Sequence, residues 1–354
     1  MKAGVLTYGS SEKYYPNIGD YIQSLAALQY ANNSDVMYLD RERLDQYHGD
    51  AIKIVMNGWF MTEPSHFPPS KEVIPLFLSF HITPDAQSKI LSKEGIDYLK
   101  NYEPIGCRDK DTMNLLQKHG IRSYFSGCLT LTLGYSYFSK NRDNNIYFVD
   151  PLIESPLSKI QFIQILISEI PHLRTVLNIF FKIKNHALFR KKDSIHKRFY
   201  NSILFYRQYS SIFSDEVLKH ATFISHVVGL PDIKKQEACF DYAETLIQKY
   251  ARASLVVTSR LHAALPCIGL ETPCIFVITD EIARGRFNGL VKCLNVLKLE
   301  QQKLIPFDLF KHQYDKIIIE SKKIILSSKI HNNDRYKPLK EMMIKNCSDF
   351  FRDC

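Results

Sequence analysis

Leu255-Val256-Val257-Thr258-Ser259-Arg260-Leu261-His262-Ala263, running on through Gly269-Leu270-Glu271-Thr272-Pro273 to Cys274–Ile278, changes its hydrophobic period twice. The first four residues read as a buried strand, and Ser259 to His262 as a sharp exit from it. Residues 263–269 read as a short helix, and 274–278 as a second strand after the Thr-Pro break. Strand, turn, helix, strand is a parallel α/β unit, and open parallel sheets bind ligands at the carboxyl ends of their strands. Arg260 and His262 fall at that end. The free NH groups of the helix's first turn, with Arg260, form an anion seat, and an imidazole beside it can move a proton near neutral pH. A plainer reading stays open: Arg260 pairs with a neighbouring carboxylate, and His262 is an ordinary helix-start residue.

The same alternation extends outward. Strands are expected at 2–8, 36–39, 52–56, 76–81, 105–107 and 123–125. Helices are expected at 20–30, opened by an Asp20/Gln23 capping box, and at 86–102 and 110–119. A second series has strands at 146–149 and 221–228 and a helix at 236–250, and the chain reads as helical from 314, interrupted at 331–334. The 354 residues exceed one ordinary core. The expectation is an α/β protein of two Rossmann-like domains, 1–140 on the acceptor side and 141–354 on the donor side. They face a central cleft in a glycosyltransferase (GT-B-like) arrangement, with a helical insertion at about 155–210 and C-terminal helices at about 314–352. Neither half has GxGxxG after its first strand, which disfavours a dinucleotide.

Composition narrows the class. Apolar content of 45% and charged content of 23% are those of a water-soluble globular chain. The eight cysteines include no CxxC pair, no stretch of 18 residues is uncharged and apolar, and the first residues read as a strand rather than a signal peptide. A reducing cytoplasm is expected. The net charge of +9 is uneven, because residues 171–207 hold nine basic residues against Asp193 alone. Val176, Leu177, Ile179, Phe180, Phe181, Leu188, Phe189 and Phe199 are threaded among them, so the stretch reads either as a contact with anionic membrane or as a solvated insertion. No nucleic-acid-binding fold accompanies it.

Polar residues recur just past the expected strand ends. Asn17, Gly19 and Asp20 follow the first strand, Asn57-Gly58-Trp59 the third, and Arg108-Asp109 the fifth, while His81, His226 and Arg286 are further cleft candidates. Turn and cap chemistry also explains Asn17, Gly19, Asp20 and Asp109. Trp59 suits a core as well as a sugar platform.

Asn17-Ile18-Gly19-Asp20, Asn57-Gly58-Trp59, Gly106-Cys107-Arg108-Asp109 and above all Thr258-Ser259-Arg260-Leu261-His262-Ala263 with Gly269-Leu270-Glu271-Thr272-Pro273 resemble the polysaccharide pyruvyl transferase family, in order from about Asn17 to Val296. The resemblance implies transfer of a pyruvyl group from phosphoenolpyruvate to two hydroxyls of a sugar, giving a cyclic ketal. It implies that Arg108 and Arg260 hold the donor's carboxylate and phosphate, that the Leu261 backbone adds a contact, and that His262 is the catalytic acid or base. It gives His226, Asn57, His81 and Arg286 no role. Two anionic groups on one carbon call for two bidentate cations, which suits arginine. Phosphoenolpyruvate is expected as co-substrate, with no cofactor or metal. A sugar or lipid-linked oligosaccharide is the expected acceptor, met at the inner face of the cell membrane. Two other readings stay open: a glycosyltransferase using a nucleotide sugar, and a non-catalytic glycan-binding protein at the membrane.

Overall fold

Six strands of the first half pair in the order β2-β1-β3-β4-β5-β6. They are β1 (Lys2–Thr7), β2 (Val36–Asp40), β3 (Ile52–Phe60), β4 (Val73–Ile82), β5 (Ile105–Cys107) and β6 (Ser123–Phe125), all parallel. A second six-stranded sheet runs β12-β11-β10-β9-β7-β8, built from β7 (Ile146–Val149), β8 (Thr222–Ile224), β9 (Leu255–Thr258), β10 (Cys274–Ile278), β11 (Asn295–Glu300) and β12 (Lys303–Phe307). Only its β11/β12 edge is antiparallel. The computed structural model describes residues 1–8, 17–31, 35–155, 158–183, 194–227, 236–279 and 288–352. The protein is α/β with two Rossmann-like sheets, as the sequence predicts. Each sheet reverses its winding direction beside its first strand, between β1 and β3 and between β7 and β9, and ligand crevices of such sheets open at that switch.

Several element boundaries differ from the sequence reading, each for a local reason. The first helix is Ile18–Leu28, two residues earlier than expected, because Asn17 caps it by accepting from Gly19 N at 3.2 Å. Asp20 lies inside the helix, where Gln23 Nε2 donates to it at 3.1 Å, so the expected capping box is a side-chain pair instead. The expected helix over 86–102 splits into Gln87–Ile90 and Lys93–Asn101, since Ser92 Oγ caps Gly95 N. Asn57, Gly58 and Trp59 lie within β3 at a register shift, not beyond its end. β8 stops at Ile224. The β11/β12 hairpin turns on Gln301 and Gln302, both at positive φ, without the glycine or asparagine that marks such a turn in sequence. The final helices are Leu309–Ser321 and Lys337–Phe351.

Between β7 and β8 the expected insertion forms the helices Lys159–Ser168, Leu173–Lys182 and Ile195–Tyr209. It is less of an appendage than its charge suggested. Ile165, Val176, Ile179, Ile203 and Phe205 join Phe148 of β7 in the core on one face of the second sheet. Lys184, Leu188, Phe189, Arg190, Lys191 and Lys192 lie outside the described residues.

One apolar cluster runs through both halves. It joins Ile22 and Leu25 of the first helix to Leu246 of the helix Gln236–Arg252, and to Leu265 and Ile268 of the helix Leu261–Gly269. The last helix completes it from the side of the first sheet, where Met343 meets Ser79 and Lys53 Nζ donates to the Phe350 carbonyl at 2.7 Å. No described helix is long and apolar enough to cross a membrane.

Backbone of the two halves meets closely at Gly269, where a Cβ would stand 2.5 Å from the Leu131 carbonyl oxygen. Backbone on both sides cannot yield as a flexible side chain would. Gly269→Ala is therefore expected to lower the unfolding free energy in urea by about 2–3 kcal/mol. An unchanged midpoint would refute tight docking of the two halves at this point.

Candidate active site

The helix Leu261–Gly269 begins directly from β9, so His262 sits in its first turn and Arg260 at its N-cap position. The strand must bend at once, and Thr258 Oγ1 fixes the bend by accepting from Arg260 N at 2.9 Å. No side chain caps this helix, which leaves its first NH groups facing the switch point between β7 and β9. Leu261 is buried in the shared core and offers only its backbone there.

His262 is partly buried. Its Nε2 is inaccessible and makes no hydrogen bond among the described residues. Gly19 lies against it: a Cβ there would stand 3.0 Å from both Cβ and Nδ1 of His262. The glycine therefore serves close packing between the halves, not a turn. Burial, followed by the positive charge of Arg108 and the nearby His226, Arg260 and His81, holds the His262 pKa well below its ordinary value. One imidazole thus feels an arginine from the carboxyl end of β5 and another from the end of β9. The two sheets bring together the residues that the sequence placed at separate strand ends.

Each neighbour has its own support. Arg108 is buried, and its backbone NH donates to Phe80 O at 2.9 Å. Asp109 caps the helix Lys110–Lys118, donor Thr112 N at 2.8 Å, and also meets His81 Nδ1 at 2.6 Å. Burial acts to raise the Asp109 pKa, but the His81 hydrogen bond and charge, the Thr112 NH and Arg108 outweigh it and leave it lowered. An ionised Asp109 accepts only, so His81 Nδ1 carries the proton. Asp20 is buried, and its pKa is raised by desolvation against the opposing pull of Arg41, Trp59, Arg108 and Asn17. Trp59 is half-buried, with the Arg41 guanidinium 4.1 Å from its ring centroid, so a sugar could stack only on the other face. His226 is buried, donates its NH to Asp150 Oδ2 at 3.0 Å and contacts the Tyr250 hydroxyl through Nε2 at 2.8 Å. Burial, with Arg260, lowers its pKa to about 4, against the opposing charge of Asp150.

Asn57 Nδ2 donates to Gln23 O at 2.9 Å, which ties β3 to the first helix and explains this asparagine by structure. Arg286 lies outside the described residues.

Asp150, which follows β7, was missed by the sequence reading. It accepts from Arg260 Nε at 2.9 Å and from His226 N, and so holds together two residues of the site. The pairing of Arg260 with a carboxylate, left open above, is therefore real, yet the arginine side chain stays nearly half exposed at its far end. The rule that picked out Arg108, a charged residue directly after a buried strand, applies equally to Asp150.

Burial acts to raise the Asp150 pKa, while Arg260, Ser225 and the His226 NH and charge bring it below the usual carboxylate range. A lowered folded pKa adds stability above the unfolded value of about 3.9, lost as pH falls through the folded one. Asp150→Asn is expected to cost about 1–2 kcal/mol at pH 7 and progressively less below about pH 4, read from urea unfolding. A cost constant from neutral to acid pH would show that the charge pair is not its source.

The family model described as polysaccharide pyruvyl transferase matches residues 17–281, well over half of the chain. The match spans the first helix, Arg108, Asp150, His226 and the Arg260-Leu261-His262 turn. No curated protein matches the chain.

Proposed function

Since the chain belongs to the polysaccharide pyruvyl transferase family, and is thus a transferase that acts on a polysaccharide, we propose that its donor is phosphoenolpyruvate and its product a pyruvate ketal. The observation that carries this reading is the electrostatic convergence of Arg108 and Arg260, from different sheets, on His262. Phosphoenolpyruvate presents a carboxylate and a phosphate from one carbon, and two guanidinium forks on opposite sides match that pair. The uncapped start of the helix at Leu261 adds NH donors for the phosphate.

In this reading His262 delivers a proton to the methylene carbon, which becomes a methyl group. The neighbouring carbon gains oxocarbenium character and is attacked by one sugar hydroxyl, which gives up its proton. Phosphate then leaves with the electrons of its C–O bond. The second hydroxyl attacks the same carbon and loses its proton, closing the ketal. The acceptor enters beside Asp20, Trp59 and His81, whose imidazole is held by Asp109. The acceptor is carried on lipid at the inner membrane face, with residues 171–207 as the contact.

An imidazole with a strongly depressed pKa is neutral at pH 7 and cannot act as an acid until its surroundings change. A bound donor supplies that change: its anionic groups offset the two arginines and raise the His262 pKa. Phosphoenolpyruvate binding at pH 8, where the free donor is fully ionised, should therefore take up a proton, seen in calorimetry across buffers of differing ionisation enthalpy. The uptake should vanish in His262→Ala. Equal uptake in the two proteins would sink the coupling.

Phosphoenolpyruvate at about a hundred times its dissociation constant should stabilise the protein by roughly 2.7 kcal/mol. Arg260→Ala should weaken that stabilisation. His262→Ala should retain it while turnover falls about a hundredfold to ten-thousandfold. Stabilisation by a nucleotide sugar in place of phosphoenolpyruvate would overturn the proposed donor.

A further inference from the structure

Ile160, Ile163, Ile167, Ile170, Phe181 and Ile195 are each more than half exposed. Among the described residues outside this region, only the large apolar side chains of Met1, Tyr38 and Tyr135 reach that level. Their spacing forms stripes. Ile160, Ile163 and Ile167 stand at i, i+3 and i+7 along the helix Lys159–Ser168, and Leu173, Leu177 and Phe181 follow at four-residue steps in the helix Leu173–Lys182. The opposite faces of the same helices, through Ile165, Val176 and Ile179, are buried on the second sheet. These helices thus carry apolar residues on both sides, although among the described residues only one side is covered by protein. Clustered exposed apolar side chains rimmed by polar ones mark an interaction surface. At their junction Leu166, Ile170, Leu173, Val176 and Ile203 line a shallow apolar hollow, with Glu169 beside it.

The exposed charges of these helices are basic. Lys159, Arg174, Lys182 and Lys197 are exposed. The helices Lys159–Ser168, Leu173–Lys182 and Ile195–Tyr209 contain no carboxylate, and Glu169, just past the first of them, is buried against Arg207 at 3.2 Å. Lys182 also donates to the carbonyls of Lys219 and Ala221, which holds its stem against the protein. Exposed isoleucines flanked by cations, with the part-exposed Asp215 carboxylate engaged by Thr175 and Tyr206, complement an anionic lipid surface, where side chains enter the acyl boundary and ammonium groups meet the headgroups.

We propose that the outer face of residues 159–182 is a docking surface for an anionic bilayer, with both helices lying in its plane and their isoleucines and Phe181 inserted. This deepens the membrane-side reading given above, on which it rests, and moves the contact to the outer apolar face of residues 159–182.

The test is sedimentation of the full-length protein with vesicles of phosphatidylcholine containing phosphatidylglycerol, and with phosphatidylcholine alone. Association with the anionic vesicles is expected, weakened but not abolished between about 50 mM and about 500 mM salt. The double variant Ile163→Asn/Ile167→Asn should lower the partition coefficient at least about tenfold, with an unchanged melting temperature and unchanged stabilisation by phosphoenolpyruvate. Absence of association with the anionic vesicles at low salt would overturn the proposal, as would equal association of variant and parent. A dimer in sedimentation equilibrium that the double variant dissolves would also overturn it, by assigning the face to a second copy. Vesicle binding without phosphoenolpyruvate stabilisation would refute the proposed donor and leave this surface standing.

Discussion

The contact between the first helix and the His262 turn is the constraint on which the site depends. Gly19 packs on the imidazole, and Ile18 N donates to the His226 carbonyl at 3.2 Å. Any larger residue at position 19 would displace either the helix that carries Asp20 or the histidine itself. Because both helices also belong to one apolar cluster, the two sheets hold their switch points against each other with core packing. The geometry of the site is thus inherited from the stability of the junction.

Electrostatics at this junction works by withholding charge. Two buried or half-buried arginines and three histidines share one region, and the histidines whose pKa values are shifted, His226 and His262, are shifted downward. The buried carboxylates divide the load: Asp150 and Asp109 stay ionised because each faces a cation or a proton donor, whereas Asp20 is pushed toward its neutral form by desolvation. Two arginines thus stand against two ionised carboxylates, with the shifted imidazoles held neutral between them, so that any added charge would change the protonation of the groups around it.

The second sheet's outer helices show how one element can serve two surroundings. Val176 and Ile179 support the sheet, while Leu177 and Phe181, one or two residues further on, face away from it. The sequence pattern of residues 171–207 mixes both sets, so burial alone separates core from surface there. The helix Lys159–Ser168 carries little charge and did not stand out in the sequence, yet it holds three of the six most exposed apolar side chains of this region.

The sequence by itself determined the α/β class, most of the strands and the positions of Arg108, Arg260 and His262 at strand ends, because period, capping residues and strand-end polarity are local properties. It also carried the family resemblance, since short motifs in order survive without a structure. Only the tertiary structure decided what those residues meet. Gly19 read as turn chemistry and proved to be packed on His262, Asn57 read as a cleft residue and proved to tie β3 to a helix, and Asp150 was passed over although it orients Arg260. These outcomes depend on contacts between residues from 34 to more than 200 positions apart, and no local pattern encodes which distant backbone will stand 3 Å away.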